Sequence, residues 1–213
     1  NIPSLKQKAL RINLNEHMKK ILFGTNNLNK LEEIRSIVPA DYQVVSLKDL
    51  SIDLDVEETE LTLEGNALLK AKAYYEASGI PCFADDTGLE VEALGGEPGV
   101  RSARYAGEQN IAKANMELLI KNLQNKDNRQ AQFRTSICLI VDGETHYFEG
   151  IAKGKIAESN AGDEGFGYDP IFIPEGEKRT FAQMSKHEKN DISHRGRAFR
   201  QLIDYLKSQE KKF

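Results

Sequence analysis

The sequence predicts an α/β fold with a mixed central sheet flanked by helices. Short apolar strands alternate with amphipathic helices through the first half of the chain, and two strands joined by a tight turn follow in the second half. Alternating strands and helices favour parallel pairing, whereas a tight turn joins antiparallel neighbours, so the two patterns together predict a mixed sheet. A length of 213 residues suits one large domain or two small lobes that share a core.

The first half contains three predicted strands and two predicted helices. In order, these are a strand at residues 21–23, a helix at 28–38, a strand around 44–45, a helix at 62–79 and a strand at 80–84. Pro39 ends the first helix. Thr62 is a typical N-cap for the second, and Gly79 suits the left-handed position that follows a helix. The last of these strands is predicted to end at the consecutive acids Asp85 and Asp86.

The second half is dominated by a predicted hairpin. Apolar and polar residues alternate over residues 133–141, and Asp142 and Gly143 follow. This dipeptide is typical of a type I′ turn, which needs positive φ at both positions. We predict a return strand over about residues 144–151 and a separate strand around Ile156. The other elements are a helix at 111–123, a Gly-rich loop at 160–169, an apolar run at 170–173 and a last helix whose apolar stripe covers 198–206.

The composition disfavours several classes of protein. With 29 Lys and Arg against 33 Asp and Glu, the formal net charge of −4 disfavours binding of a nucleic acid polymer, although a few lysines can still converge on a small anion. No run approaches the roughly 18 apolar residues of a transmembrane helix, so we expect no membrane partner. Cys82 and Cys138 lie in apolar runs without metal-ligand spacing, which is typical of buried thiols in a reducing compartment. We therefore expect a globular cytoplasmic protein.

Residues 1–17 differ from the remainder. A strand-like run begins just after Met18, and the preceding segment lacks the apolar core of a signal peptide. We expect Met18 to be the native start, residues 1–17 to be an upstream or added extension, and residues 18–213 to form a single domain.

The first candidate for chemistry is the turn between the first strand and the first helix. A helix N-terminus attracts phosphate because its N–H groups are free and the helix dipole is positive there. Thr25 and Asn27 can add side-chain donors, and Lys30 lies in the first helical turn. An Asn-capped helix with a solvated lysine explains the same residues equally well.

The second candidate is the acidic pair at the end of the third predicted strand. Consecutive residues of a strand point to opposite faces, so one of Asp85 and Asp86 can face a cleft while the other anchors the turn. A carboxylate there can hold a hard divalent cation or act as a general base on water, although a turn acid is the ordinary explanation. Glu57 and Glu58 can supply an oxygen ligand or simply form a solvated surface.

The third candidate is the helix after Thr62. Asn66 and Lys70 are four residues apart and share a helix face, which we predict to lie away from Leu63 and Ala67. Lys70 is then either a second phosphate contact or a solvated lysine.

The fourth candidate comprises two segments near the C-terminus. Phe166, in a loop rich in glycine, offers a ring for stacking on a flat ligand, and Asp169, Lys189, His194 and Arg195 offer hydrogen bonds to heteroatoms or phosphate. A helix cap at the residue before His194 explains the second segment equally well. The sequence contains no convincing Ser/His/Asp or Cys/His arrangement, which disfavours a protein nucleophile.

Five segments, in this order, resemble the inosine/xanthosine triphosphate pyrophosphatase family, whose members hydrolyse non-standard purine nucleoside triphosphates. They are TNNLNK (25–30), EETELTLEGNALLKAKAY (57–74), FADDTGLEVEALGGEPGVRSARYAG (83–107), GFGYDPIF (165–172) and SHRGRA (193–198). The resemblance extends from about Lys20 to Leu206. It implies two lobes around an active-site cleft, a purine nucleoside triphosphate substrate, a Mg²⁺ cofactor and a homodimer.

The resemblance also implies a role for each candidate residue. Glu58 and Asp86 align with carboxylates that position magnesium, and Asp86 aligns with the general base that directs water at the α-phosphorus. The positions that align with substrate-binding residues are Thr25, Asn26, Asn27, Lys30, Lys70 and Thr87 on the phosphate side and Phe166, Gly167, Tyr168, Asp169, Lys189, His194 and Arg195 on the purine side. Asn26 replaces a common glycine, and Thr87 replaces a common serine but keeps its hydroxyl.

Two alternatives remain open at this stage. A non-catalytic nucleotide-binding protein would keep the pocket and lose turnover, and a related pyrophosphatase would act on modified pyrimidine or methylated nucleotides. For the purine assignment, we expect selection at the 6-position, because a pocket of donors suits a 6-oxo group. Each buried donor left facing the 6-amino group of adenine costs about 1–3 kcal/mol.

Overall fold

The computed structural model describes residues 18–210. In this part of the chain a single sheet contains seven strands, and five α-helices pack around it. The strands are β1 (Lys19–Phe23), β2 (Tyr42–Ser46), β3 (Cys82–Val91), β4 (Pro98–Gly99), β5 (Gln130–Val141), β6 (Glu144–Ile156) and β7 (Phe172–Pro174). The helices are α1 (Leu28–Arg35), α2 (Leu63–Ser78), α3 (Ala112–Asn122), α4 (Lys186–Ile192) and α5 (His194–Glu210).

The sheet is mixed, as predicted. Its strand order is β2-β1-β3-β5-β6-β7, with β4 paired to β3 beside this path. β1 runs parallel to β2 and β3, whereas the β3–β5, β5–β6 and β6–β7 pairs are antiparallel. β1 reaches only Cys82 and Phe83 of β3, and β4 reaches only Leu89 and Glu90. Within the described residues, positions 84–88 therefore pair with β5 alone and leave one edge of β3 open.

Several local predictions are confirmed. The Thr62 side chain accepts a hydrogen bond from the backbone N–H of Gly65 at 3.0 Å and caps α2, and Gly79 follows that helix with φ 68°. Asp142 and Gly143 adopt φ 51° and 77°, as a type I′ turn requires. These features depend on a few adjacent residues, so local sequence is sufficient to predict them.

Three predicted boundaries are wrong. β3 does not end at Asp85 but continues to Val91, because it keeps register with β5 throughout its length. The return strand and the separate strand around Ile156 are one continuous strand, β6, for the same reason. α1 ends at Arg35 instead of residue 38. Directly after this end, the Ser36 hydroxyl donates to the carbonyl of Glu33 at 2.7 Å.

The hydrophobic core has two main parts, which share the long strands. Around α1 and α5, the first part includes Phe83 of β3. The second lies around α3 and β7 and includes Leu89 and Val91 of the same strand. The polar residues Asp85, Asp86 and Thr87 lie between these two parts of β3. The sheet therefore carries two lobes, and its polar segment lies at their junction.

The remaining expectations concern the termini, the cysteines and the membrane. The extension predicted at residues 1–17 lies outside the described residues. Cys82 and Cys138 are free and buried, and burial raises the pKa of their thiols to about 12 and about 11. Among residues 18–210, no helix combines the length and the apolar character that crossing a bilayer requires.

Candidate active site

A cavity of about 610 Å³ lies at the junction of the two lobes. Every residue to which the family resemblance assigns a role lines it, although these residues come from the β1–α1 turn, the loop before α2, α2 itself, β3, the Gly-rich loop, α4 and the start of α5. Two other candidates, Asp85 and Asn66, lie behind this lining and contact residues that belong to it.

From the segment of β3 whose edge is open, Asp86 and Thr87 line the cavity. The structure therefore brings residues from several separate segments into one cleft. Lys70, Glu58 and Asp86 lie together in one part of it, and Phe166, Lys189 and Arg195 lie together in another.

The β1–α1 turn is built by helix capping. The Asn27 side chain accepts hydrogen bonds from the backbone N–H groups of Asn29 and Lys30 at 3.0 and 3.2 Å, and the Thr25 hydroxyl accepts from the N–H of Asn27 at 3.1 Å. The Asn-capped helix is thus present, but a solvated lysine is not. Lys30 Nζ donates to Asp85 Oδ1 at 3.0 Å, and only 15% of the lysine side chain is exposed.

Two further contacts hold this turn in the cleft. Gly24 is required because a Cβ at that position would collide with the ring of Tyr74 from α2. Asn26 Nδ2 donates to the carbonyl of Leu54 at 3.4 Å and to Asp55 Oδ1 at 3.2 Å. The turn is therefore joined to the acidic segment that precedes α2.

Asp86 is buried on the face of the sheet that α2 covers. Its Oδ2 accepts a hydrogen bond from Asn66 Nδ2 at 3.1 Å, and its Oδ1 accepts from the N–H of Thr87 at 2.9 Å. Lys70 Nζ lies 3.9 Å from Oδ1 and also bonds Glu58. Burial raises the pKa of Asp86 and outweighs the opposing effect of Lys70. The ionised form of Asp86 is therefore less favoured than the nearby positive charge of Lys70 alone would make it.

Lys70 and Asn66 occupy the buried face of α2, together with Leu63 and Ala67. The prediction that the polar pair lies away from these apolar residues is wrong, because the helix packs a broad face on the sheet and Asp86 meets the polar part of it. Burial alone would lower the pKa of Lys70, but Asp86 and Glu58 outweigh it and raise the pKa. Lys70 is therefore a charged amine placed between two carboxylates.

The two carboxylates offer the hard oxygen donors that Mg²⁺ prefers. Among residues 18–210, no group of three His, Cys, Asp or Glu side chains is arranged to hold a metal ion. Mg²⁺ commonly takes one or two protein carboxylates and completes its coordination with water and phosphate oxygens. Glu58 and Asp86 fit an ion of this kind in the presence of a phosphate ligand.

Asp85 points to the opposite face of β3, as the alternation along a strand predicts. Its Oδ1 accepts from Lys30, and its Oδ2 accepts from Arg195 Nε and from the Thr87 hydroxyl, both at 3.2 Å. Burial would raise the pKa of Asp85, but Lys30 and Arg195 outweigh it and hold the pKa well below the usual range. Thr87 also contacts the Thr135 hydroxyl at 2.6 Å. Asp85 is thus an ionised anchor.

The Gly-rich loop presents Phe166 beside cations. Lys189 Nζ lies 4.8 Å from the ring centre of Phe166, and the guanidinium carbon of Arg195 lies 5.6 Å from it. Asp169 Oδ2 accepts from Lys189 Nζ at 2.6 Å and from the N–H of Phe166 at 2.8 Å, which fixes the loop. Tyr168 is buried, and its hydroxyl donates to the carbonyl of Ser102 at 2.8 Å. It therefore ties the loop to the far wall of the cleft.

Glu33 is a site residue that the sequence analysis missed. Its Oε1 lies 2.5 Å from Lys189 Nζ, and its other oxygen bonds Arg195. Burial would raise the pKa of Glu33, but Arg195 and Lys189 outweigh it and lower the pKa. The available signal was its position three residues after Lys30 on α1, which places both on one helix face.

His194 begins α5 and is buried. Its ring stacks on Phe133 at a centroid distance of 4.5 Å, and its Nδ1 finds no hydrogen-bond partner among the described residues. Burial, reinforced by Arg195 and Lys189, lowers the pKa of His194 well below its ordinary value. The imidazole is therefore neutral at neutral pH. The predicted cap before it is present, because the Ser193 hydroxyl accepts from the N–H of Gly196 at 3.1 Å.

The far wall of the cleft was also missed. It comes from the segment between β4 and α3 and from α3 itself, where the sequence analysis assigned no role to any residue. Its main lining residues are Ser102, Ala103, Arg104, Glu108, Asn110 and Asn115. Asn115 holds this wall, since its side chain accepts from the N–H of Ala106 at 2.7 Å and donates to the carbonyl of Ala103 at 2.8 Å.

Comparisons with known proteins agree on one family. A model of the Ham1 family matches residues 21–205. The dITP/XTP pyrophosphatase of Flavobacterium psychrophilum is 53% identical over 189 residues, which cover 89% of this chain and 100% of the relative. The dITP/XTP pyrophosphatase of Porphyromonas gingivalis is 52% identical over 190 residues, which cover 89% and 98%.

Solved structures give the same result for the fold. The Ham1 protein of Staphylococcus aureus superposes with a TM-score of 0.80 at 45% identity, covering 90% of this chain and 100% of that one. A HAM1 protein of Coxiella burnetii superposes with a TM-score of 0.81 at 34% identity, with the same coverage.

Proposed function

Since the chain belongs to the Ham1 family, we propose that it hydrolyses the non-standard purine nucleoside triphosphates dITP, ITP and XTP to the nucleoside monophosphate and pyrophosphate. The observation that carries this proposal is one continuous cleft with two chemically different ends. A helix N-terminus, two lysines and two carboxylates occupy one end, and an aromatic ring beside cationic donors occupies the other. This division matches a triphosphate attached to a flat base.

At the phosphate end, the N-terminus of α1 and the amines of Lys30 and Lys70 would bind the triphosphate oxygens. Glu58 and Asp86 would hold Mg²⁺, which offsets the charge of the polyphosphate when bound. Asp86 would accept a proton from a water molecule as the water oxygen bonds to the α-phosphorus and the bond to the bridging oxygen of pyrophosphate breaks. A raised pKa suits this role, because a general base works best when its pKa approaches the working pH.

At the purine end, Phe166 would stack on the base. Lys189 and Arg195 carry only donors, so they suit a 6-oxo group and leave a donor facing the 6-amino group of adenine. An unpaired buried donor costs about 1–3 kcal/mol, enough for roughly tenfold to hundredfold discrimination per contact. Glu33 and Asp169 would hold the two cations in place through the bonds already described.

We further propose that the enzyme is a cytoplasmic homodimer that uses Mg²⁺ and has no nucleic acid polymer or membrane as a partner. The buried free thiols and the negative net charge support these statements, and the family resemblance supports the dimer. Sedimentation equilibrium of the purified protein tests the dimer, and a monomer at all accessible concentrations would contradict it.

The decisive experiment measures pyrophosphate release from dITP, ITP, XTP, GTP, ATP, dTTP and UTP, each with Mg²⁺ and with a chelator. We expect fast release from the first three and little from ATP, dTTP and UTP, and release only with Mg²⁺. GTP, which shares the 6-oxo group, measures how much selectivity comes from other parts of the base. Asp86→Asn, prepared identically, controls for contaminating phosphatases. Nucleotide binding without release would favour the non-catalytic alternative, and a higher kcat/KM for dTTP or UTP than for ITP would favour the pyrimidine alternative.

A further inference from the structure

The segment before α2 needs an anchor that its own sequence does not supply. Residues 52–60 form no helix or strand, although they line one side of the cleft through Glu58. Five carboxylates lie within eight residues, namely Asp53, Asp55, Glu57, Glu58 and Glu60. Like charges at this density repel one another, so an irregular segment of this kind requires specific contacts to hold one conformation.

Asn66 supplies such a contact. Its Oδ1 accepts a hydrogen bond from the backbone N–H of Glu60 at 2.9 Å, and its Nδ2 donates to the carbonyl of the same residue at 3.3 Å. The second Nδ2 hydrogen is directed at Asp86 Oδ2 at 3.1 Å. Asn66 is fully buried. One amide therefore joins the end of the acidic segment to Asp86 of β3.

The chemistry of the amide permits only this orientation. Nδ2 has two hydrogens, and both acceptors beside it, a carbonyl and a carboxylate, require a donor. A rotated amide would place Oδ1 against those two oxygens and Nδ2 against an N–H. The three contacts thus support one another, and no other uncharged side chain of this size offers two donors and an acceptor in one plane.

Gly65 is a second, independent sign that this approach is built into the fold. A Cβ at Gly65 would lie 2.7 Å from Cβ of Glu60 and 2.9 Å from its Cγ. Glycine is unfavourable inside a helix, so its presence in the first turn of α2 requires a reason. The close passage of Glu60 over the helix supplies that reason.

We propose that Asn66 is a positioning residue that fixes the carboxylates of Glu58 and Asp86 relative to each other across the cleft, an inference that rests on the proposed function. Glu58 lies two residues before Glu60, so fixing the backbone of Glu60 limits where the carboxylate of Glu58 can reach. The same amide fixes the rotamer of Asp86. Lys70 bonds Glu58 and neutralises charge between the two acids, whereas Asn66 bonds the backbone of Glu60 and the carboxylate of Asp86 and so joins both to α2.

The test is Asn66→Leu, which keeps the branched shape and the number of heavy atoms of the side chain and removes all three hydrogen bonds. We expect kcat to fall and the Mg²⁺ concentration for half-maximal activity to rise, each about 10- to 100-fold, as is usual when a partner of a metal ligand is lost. The KM for dITP at saturating Mg²⁺ should change much less. Amide hydrogen exchange, measured without substrate or metal, should show loss of protection at Glu60 with protection kept across residues 70–78.

Gly65→Ala is the second variant. Alanine has the higher helix propensity, so a merely structural role predicts an unchanged or more stable helix and unchanged catalysis. Our inference instead predicts faster exchange at Glu60 and a higher Mg²⁺ requirement, because the added Cβ displaces that residue. If Asn66→Leu fails to fold, this variant decides the question. Val44→Ala, a buried change on β2, controls for lost stability and should keep the wild-type kcat and Mg²⁺ requirement.

The outcomes separate this inference from the proposed function. If the wild-type protein releases pyrophosphate and both α2 variants keep its kcat and Mg²⁺ requirement, the inference is overturned and the function stands. If protection from exchange is lost across the whole of α2 and Glu60 loses no more protection than its neighbours, Asn66 is structural only, which also overturns the inference. If the wild-type protein releases no pyrophosphate, the proposed function fails, and the exchange data still report on the Asn66 anchor.

Discussion

The two ends of the cleft balance their charges differently. At the proposed purine end, three cations match the carboxylates of Glu33, Asp85 and Asp169: Lys189, Arg195 and Lys30, which reaches Asp85 from the β1–α1 turn. No more than 5% of each carboxylate side chain is exposed. At the phosphate end, Glu58 and Asp86 share Lys70, and the Glu58 side chain is 28% exposed.

The difference is between an ion network whose charges are matched within the protein and one whose charges are not. Buried ion pairs tolerate desolvation only when their charges are matched by well-placed partners, and the purine end meets that condition without a ligand. The phosphate end keeps two acids near one amine, so a cation and a polyanion together would complete its balance. Asp85 and Asp86 show the contrast within one strand, because alternation sends their side chains to opposite faces.

The largest effect should follow Asp86→Asn. We expect kcat to fall about 10⁴-fold, the upper range for loss of a general base, because this residue would also lose its charge toward the metal. Steady-state kinetics with dITP measure kcat, and calorimetric titration with a non-hydrolysable analogue measures binding, which should change little. Asp53→Asn removes a nearby exposed carboxylate as the control. A kcat near the wild-type value would remove Asp86 from both roles.

Asp85→Asn should act on stability instead. Removing one partner of a buried ion network leaves Lys30 without its counter-charge and Arg195 with Glu33 alone, at a cost of about 3–5 kcal/mol in the free energy of unfolding. Urea denaturation at pH 7.5 measures this, with Asp86→Asn as the matched variant on the other face. The latter should change the free energy of unfolding by less than about 1 kcal/mol. Equal losses for the two variants would contradict the contrast between the ends.

Phe166→Ala should weaken binding of the base and leave the rate of the hydrolysis step nearly unchanged. Loss of one stacking ring costs about 1–3 kcal/mol per base, so we expect KM for dITP to rise about tenfold or more with kcat nearly kept. Tyr147→Ala, which removes a half-exposed ring on β6, is the control. An unchanged KM would exclude stacking on Phe166.

The smallest effect concerns His194 and pH. Its folded-state pKa is lowered, so below about pH 6.5 the unfolded chain binds a proton that the folded chain does not, and stability falls as the pH falls. This contributes about 1.4 kcal/mol per pH unit until the folded pKa is reached, and nothing well above pH 6.5. Urea denaturation at pH 7.5, 6.5 and 5.5 should show a shallower loss for His194→Gln. His187→Gln, at an exposed histidine, is the control; equal slopes for wild type and His194→Gln would contradict the prediction.

Much of the cleft was predictable because its residues belong to segments with recognisable local chemistry. Asn27 and Ser193 cap helices, and such caps place neighbouring polar residues at helix N-termini. The failures are equally specific. Asp85 and Asp86 looked like the end of a strand because charges seldom occur inside a sheet, and their countercharges lie on other elements. Asn66 was predicted to lie on the wrong face of α2, because hydrophobic periodicity does not show that the buried carboxylate of Asp86 faces this helix.

The sequence by itself determined the order of elements, the caps at Thr62 and Asn27, the type I′ turn and the identity of the chemically active segments, because each depends on residues close together in the chain. Only the tertiary structure decided the charge pairing. Glu33 meets Lys189 across 156 residues of sequence and Arg195 across 162, and it meets them only because α1, α4 and α5 pack around the same end of the sheet. Local propensity carries no information about such partners, whose energies depend on burial and distance in the folded chain.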